Sequence, residues 1–135
     1  LSMSIIPAGY DNYSAEFIRA GIEKGAWDAG RFDVTVVGGI SQALELMIIA
    51  KEAALPIDVQ SWGHSLAQAA NLHLILANDR SEYFEAPMPN VAFEYGMKNG
   101  NMLKKGKVVA PEGPGLGIEV DWDMLDRADF YRYSK

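Results

Sequence analysis

The chain has 135 residues, 49% hydrophobic and 22% charged, which suits one globular unit with a sizeable core and excludes a disordered chain. Its formal net charge of −6, with basic residues scattered apart from Lys104, Lys105 and Lys107, argues against a nucleic-acid surface. Cysteine is absent, which removes disulfide frameworks and thiolate metal sites, and the longest strongly apolar run, Leu44 to Ala50, is broken by Glu45 and falls far short of the ~20 residues of a membrane span.

The N-terminal Leu1-Ser2-Met3 has no signal-peptide layout, so a cytoplasmic location is expected. Leu1 is not an initiator methionine, and strand-like residues begin almost at once, so the chain reads as part of something longer. Ser4 to Ala8 predicts a buried strand broken by Gly9. Ser14 then caps a helix with Phe17, Ile18 and Ile22 at helical spacing, ending before Gly25. A second strand lies within Trp27 to Val37. Propensity favours Phe32 to Val37 for it, which places Asp33 near the strand start.

Gly38-Gly39 ends that segment, and Ser41 is the expected cap of a helix with an apolar stripe at Ile40, Leu44, Met47 and Ile48. Pro56 opens a short strand, Ile57 to Gln60. Ser65 begins a helix with Leu66, Ala69, Ala70, His73 and Leu74 on one face, and Ser81 to Glu85 reads as a fourth strand. The order βαβαβαβ points to a parallel sheet with right-handed crossovers. After it come a helix-like stretch at Val91 to Met97, a hairpin bracketed by Gly100 and Gly106, and a Gly/Pro-rich loop from Pro111 to Gly117. A last strand, Ile118 to Trp122, and a helix capped by Asp123 and running through Phe130 complete the reading.

Tyr10, Asp33, Gln60 and Glu85 recur at near-equal intervals, each where an apolar stretch ends. Residues at the carboxyl ends of parallel barrel strands point into the mouth where such folds do chemistry, so these four are the first functional candidates. His64, after Ser61-Trp62-Gly63 in the loop beyond the third strand, is a candidate for proton transfer or substrate contact. His73 reads as a packed, hydrogen-bonded core histidine. The Gly113-Pro114-Gly115-Leu116-Gly117 run reads as a structural turn, since a strand-like segment rather than a helix follows it and Pro114 lacks an amide donor. No His-x-x-x-His pair or nucleophile elbow is present.

The run Asp33-Val34-Thr35-Val36-Val37-Gly38-Gly39-Ile40-Ser41, its alanine- and leucine-rich helix and Leu55-Pro56-Ile57 resemble the mandelate racemase and muconate lactonizing enzyme family of the enolase superfamily. Pro111 to Glu119 is similar to that family's C-terminal signature, and Leu72-His73-Leu74 and Glu82 to Glu85 extend the resemblance over nearly the whole chain. The resemblance implies an α/β fold: units five to eight of a (β/α)-barrel over residues 1–100, and a hairpin, loop and tail over 101–135 returning to a capping domain. A complete barrel takes ~250 residues, so the cap and the first half of the barrel lie outside this chain. On this mapping the sixth barrel strand ends near Asp33 and Val34 to Gly39 becomes loop.

The implied chemistry is proton abstraction alpha to a carboxylate, with Mg²⁺ stabilising the enediolate, by a dehydratase (lyase) or a racemase or cycloisomerase (isomerase) acting on a sugar acid or hydroxy acid. Tyr10 stands where the family has a metal-binding Glu, and Gln60 where it has a histidine base that Asp33 would orient. Glu85 matches the eighth-strand acid that hydrogen-bonds the substrate carboxylate. The implied roles are catalytic for Asp33, Glu85 and His64 and substrate-binding for Tyr10, Gln60 and Trp62, with most Mg²⁺ ligands elsewhere. The implied partners are a small carboxylate substrate and the remainder of the barrel, with a homo-oligomer when intact and neither nucleic acid nor membrane. A metal-free, non-catalytic ligand-binding or structural barrel fragment is the alternative, and a self-contained flavodoxin-like domain is a third reading.

Overall fold

The computed structural model describes residues 3–8, 14–81 and 83–127. Helix α1 spans Ala15–Glu23, strand β1 Gly30–Phe32, α2 Ile40–Glu52, β2 Ile57–Val59 and α3 Ser65–Leu76. Strands β1 and β2 pair in parallel, Gly30 opposite Ile57, Arg31 opposite Asp58 and Phe32 opposite Val59. A Cβ at position 30 would sit 2.5 Å from Ile57 Cδ1, so the close approach of β2 explains the glycine that opens β1.

Strand alternation divides this two-stranded sheet into unlike faces. Phe32, Ile57 and Val59 join a core of Ile18 and Ile22 from α1, Ala43, Leu46, Met47 and Ala50 from α2, and Leu74 and Ile75 from α3. Burying a side chain the size of Phe32, which is fully enclosed, contributes about 1.5–3 kcal/mol. Arg31 and Asp58, and beyond the strands Asp33 and Gln60, alternate onto the opposite face, the one a closed barrel turns inward. On its other side α3 packs Ala69 and Leu72 against Met102, with Leu116 and Ile118 alongside.

Several elements depart from the sequence reading. Ser4 to Ala8 is not a strand and is exposed apart from Pro7. Its Ile5 is tied to Asp28 by two hydrogen bonds of 2.7 and 2.8 Å, and no ladder covers it. The second strand stops at Phe32, and Val34 to Gly38 is a turn, as the family mapping implied and propensity did not. The cause is local: Asp33 Oδ1 accepts from both the amide and the hydroxyl of Thr35, and the amides of Val36 and Val37 close on the Asp33 carbonyl, so turn chemistry defeats β-propensity.

Gly39, with φ 103°, rather than Ser41 stands at the N-cap of α2. The buried face of α2 is Ala43, Leu46, Met47 and Ala50, while Ile40, Leu44 and Ile48 are exposed, so only Met47 of the expected stripe faces the core. Small residues at 43 and 50 let the helix lie close to its neighbours, and their spacing is as helical as that of the bulkier set.

Ser81 and Tyr83 to Glu85 form no ladder beside β2, because serine side chains replace the backbone bonds. Ser81 Oγ donates to the Ile57 carbonyl at 2.7 Å, and Ser61 Oγ donates to the Glu85 carbonyl at 2.9 Å and accepts from the Glu85 amide at 2.8 Å. Val91 to Met97 contains only a 3₁₀ turn, Asn90–Phe93. The hairpin is present as β3, Leu103–Lys104, and β4, Lys107–Val108, with the left-handed Lys105 and Gly106 at its turn (φ 51° and 75°). Ile118 to Trp122 contributes one antiparallel bridge, Met97 to Val120, instead of a strand. Helix α4, Trp122–Asp126, is capped by Asp121, whose Oδ1 accepts from the Met124 amide, and not by Asp123. The expected extension through Phe130 lies outside the described residues, and no described helix is long and apolar enough to cross a membrane.

Candidate functional site

Asp33 sits one residue past β1 and is 2% exposed. Its Oδ1 takes three donors: the Thr35 amide at 2.8 Å, the Thr35 hydroxyl at 2.7 Å and Asn71 Nδ2 at 3.1 Å. Asn71 extends from α3, also donates to the Ala67 carbonyl, and accepts from the Val34 amide at 2.9 Å. One carboxamide thus locks the turn after β1 to α3.

Gln60 occupies the equivalent place beyond β2. Its amide donates to the Phe32 carbonyl at 2.9 Å, continuing the register so that Gln60 lies beside Asp33 on the inward face. The side chain is buried, and its Oε1 has no hydrogen-bond partner among the described residues. Next to it Ser61 grips Glu85 through both backbone groups, which fixes the third member of the row. The Glu85 carboxylate accepts from Arg31 Nη2 in a partly exposed ion pair.

His64 lies at the N-cap of α3. Its Nε2 is 2.9 Å from the Tyr95 carbonyl, which can only accept, so Nε2 carries the proton, and Nδ1 accepts weakly from the Leu66 amide at 3.4 Å. Both ring nitrogens thus face backbone groups. Trp62 is exposed at the same turn, its ring 5.1 Å from that of Phe93 and tilted by 59°. His73 is partly buried, with Nε2 3.3 Å from the Leu116 carbonyl, as expected of a hydrogen-bonded structural histidine. Tyr10 lies outside the described residues.

The structure thus brings Asp33 and Gln60 to the ends of β1 and β2, with Glu85 held next to Ser61 in a segment that is not a strand. Arg31, Ser61 and Asn71 complete the arrangement and were not singled out from sequence. Arg31 was within reach of it, since a strand ending at Asp33 puts residue 31 on the same face by alternation. A cavity of ≈520 Å³, lined by Glu94, Lys98, Met102, Lys104 and Glu112 among others, involves none of the strand-end residues.

These residues do not fit a divalent cation. Among the described residues no three His, Cys, Asp or Glu side chains cluster as a metal site. The Asp33 Oδ1 is saturated by donors, and Glu85 is paired with Arg31.

Parallel strands joined by helices, with polar residues gathered at their carboxyl ends, define an α/β protein of the (β/α)-barrel-like class. The family model described as enolase C-terminal domain-like matches residues 5–124, and the chain belongs to that family, within the enolase superfamily of the mandelate racemase and muconate lactonizing enzymes. A crystal structure from Pseudovibrio sp., assigned to the mandelate racemase/muconate lactonizing enzymes, superposes with a TM-score of 0.87 at 36% identity, covering 97% of this chain and 35% of that one. One from Bordetella bronchiseptica RB50, assigned as a mandelate racemase and complexed with 2-oxoglutarate/phosphate, gives 0.84 at 28% identity, covering 98% and 36%. Muconate cycloisomerase 1 of Rhodococcus opacus is 29% identical over 104 residues, 76% of this chain and 28% of that protein. The chain thus spans about a third of the length of these relatives. Enzymes of the superfamily act on small molecules and are generally metal-dependent.

Proposed function

We propose that residues 1–100 are barrel units five to eight, and residues 101–135 the C-terminal segment, of an enzyme that removes the proton alpha to the carboxylate of a hydroxy acid or sugar acid. The observation that carries this reading is the row of Asp33 and Gln60 beyond β1 and β2 and Glu85 next to them, held by Asn71 and Ser61. The Bordetella relative was crystallised with 2-oxoglutarate/phosphate, and 2-oxoglutarate shares the carboxylate, though not the hydroxyls, of that class.

Each residue of the row has a part. Asp33, fixed by its three donors, is the orienting group beside Gln60. Gln60 contacts substrate without taking a proton, because a carboxamide has no basic lone pair at neutral pH. Glu85 sets Arg31 over the sheet face, Trp62 forms an exposed lip of the mouth, and His64 shapes the turn into α3. Gln60 then stands at the end of β2 without a basic group, and the base and the Mg²⁺ implied by the resemblance belong to the rest of the barrel. With a base on one side only, elimination (dehydration) or cycloisomerisation is favoured over racemisation, which needs a proton donor on the second face.

The test is incubation of the full-length protein with Mg²⁺ and a panel of hexonates, following formation of a 2-keto acid. Turnover of at least one hexonate is expected. Tight binding by calorimetry without turnover would instead identify a non-catalytic ligand-binding barrel, which Gln60 and the engaged His64 ring would then explain.

A further inference from the structure

Asn99 is followed by Gly100, and the fold explains the glycine. Gly100 is buried against the start of α3: a Cβ on it would sit 2.6 Å from Ser65 Oγ and 3.1 Å from both Ser65 Cβ and Met97 Cβ. The close approach of α3 thus imposes the one residue type whose backbone nitrogen is not shielded by a side chain of its own. The Gly100 amide makes no hydrogen bond among the described residues.

Asn99 is exposed and borders two cavities, of ≈520 and ≈320 Å³, so water reaches its side chain. Its carboxamide closes a seam between residues 96–99 and 117–121. Nδ2 donates to the Gly117 carbonyl at 2.8 Å, and Oδ1 accepts from the Glu119 amide at 2.7 Å. Alongside run the backbone bonds from the Lys98 amide to the Glu119 carbonyl at 2.9 Å and from the Asp121 amide to the Gly96 carbonyl at 2.8 Å, with the bridge of Met97 to Val120.

We propose that Asn99 is a spontaneous modification site, whose conversion to aspartate or isoaspartate opens this seam. The Gly100 nitrogen attacks Asn99 Cγ, the new C–N bond closes a cyclic imide, and Nδ2 leaves as ammonia, carrying the proton that the Gly100 nitrogen gives up. Water then adds to one of the two imide carbonyls. Breaking the bond to Cγ yields aspartate, and breaking the bond to the main-chain carbonyl yields isoaspartate, which routes the backbone through the side chain. The Glu119 amide faces the oxygen on which negative charge gathers during the attack, so that bond strengthens as the ring closes. The Gly117 bond opposes departure of Nδ2, but it is one neutral bond at an exposed residue and slows the step without blocking it.

The product does not fit the seam. An oxygen replaces the Nδ2 donor opposite the Gly117 carbonyl, leaving acceptor against acceptor. The new charge also joins those of Glu119, Asp121 and Asp123, which already bear on Lys98.

The test keeps the full-length protein folded in mildly alkaline buffer and follows the tryptic peptide 99–104, cut after Lys98 and Lys104, by mass spectrometry against a zero-time digest. Asn101 in the same peptide and Asn71, Asn78 and Asn90 elsewhere are internal controls. Asn99 should lose its amide ahead of all four and give both aspartate and isoaspartate. Asn99→Gln, whose longer side chain disfavours the imide, should keep its amide. Asn99→Asp, made directly, should lower Tm and speed hydrogen exchange at the Lys98, Glu119 and Asp121 amides. The peptide map of the parent decides the modification without any variant. Asn99 keeping its amide as long as the four controls, or unchanged exchange at those amides in Asn99→Asp, would overturn the proposal.

Discussion

Asn71 of α3 donates to Asp33 Oδ1 at 3.1 Å while its own oxygen accepts from the Val34 amide at 2.9 Å, so a single buried carboxamide ties helix, turn and candidate site together. Replacing it with alanine strands a buried amide and removes one of three donors from a buried carboxylate. Asn71→Ala should cost about 2–3 kcal/mol in denaturant unfolding. Asn71→Asp, which sets a second carboxylate against Asp33, should cost more.

Gln60→Leu should move stability the other way. The substitution removes a buried acceptor that has no described partner and keeps much of the volume, so the unliganded protein should gain about 1 kcal/mol, seen as a raised Tm. An unchanged or lowered Tm would mean that the oxygen is already satisfied in the intact protein. Stability gained as hydroxy-acid affinity falls is the exchange characteristic of a binding position.

The two faces of α2 make a paired prediction. Leu46 is fully buried and Leu44 is 41% exposed. Leu46→Ala should destabilise by about 2–5 kcal/mol, and Leu44→Gln should stay within about 0.5 kcal/mol of the parent, both by chemical denaturation. Equal costs at the two positions would show that Leu44 is covered in the intact protein.

Lys98 Nζ donates to Glu119 Oε1 at 2.5 Å on the surface, and that hydrogen bond, then the Glu119 charge, raise the lysine above its ordinary 10.5. A group whose folded value is raised stabilises the protein below its unfolded value and loses the effect as pH climbs through the folded one, so any contribution disappears only in alkali above 10.5. Because the pair is exposed, Glu119→Gln should leave stability near neutral pH almost untouched while returning the Lys98 NMR titration toward its ordinary midpoint.

What the sequence disclosed and what it hid follow from the range of the forces involved. The βα rhythm and the strand-end positions of Asp33 and Gln60 were legible, because apolar alternation and breakers are local signals. The end of β1 was misjudged from propensity, since one aspartate side chain capturing Thr35 outweighs a run of valines. The register of α2 was hidden because two helical stripes compete and only packing chooses between them. The Arg31–Glu85 pair and the Asn71 lock join residues far apart in sequence, and nothing local announces them. Family resemblance supplied the positions of the site, while the engagement of both His64 nitrogens emerged only in three dimensions.

The proposed function is one-sided proton abstraction at the mouth formed by Asp33, Gln60 and Glu85. The most direct measurement is ¹H NMR of D-gluconate, its C2 epimer D-mannonate and D-galactonate, each incubated in D₂O with the full-length protein and Mg²⁺. The expected result is loss of the C2 proton from one epimer only, with dehydrated or cyclised product and no appearance of the other epimer. Interconversion of gluconate and mannonate, or no exchange at C2 of any of the three acids, contradicts it.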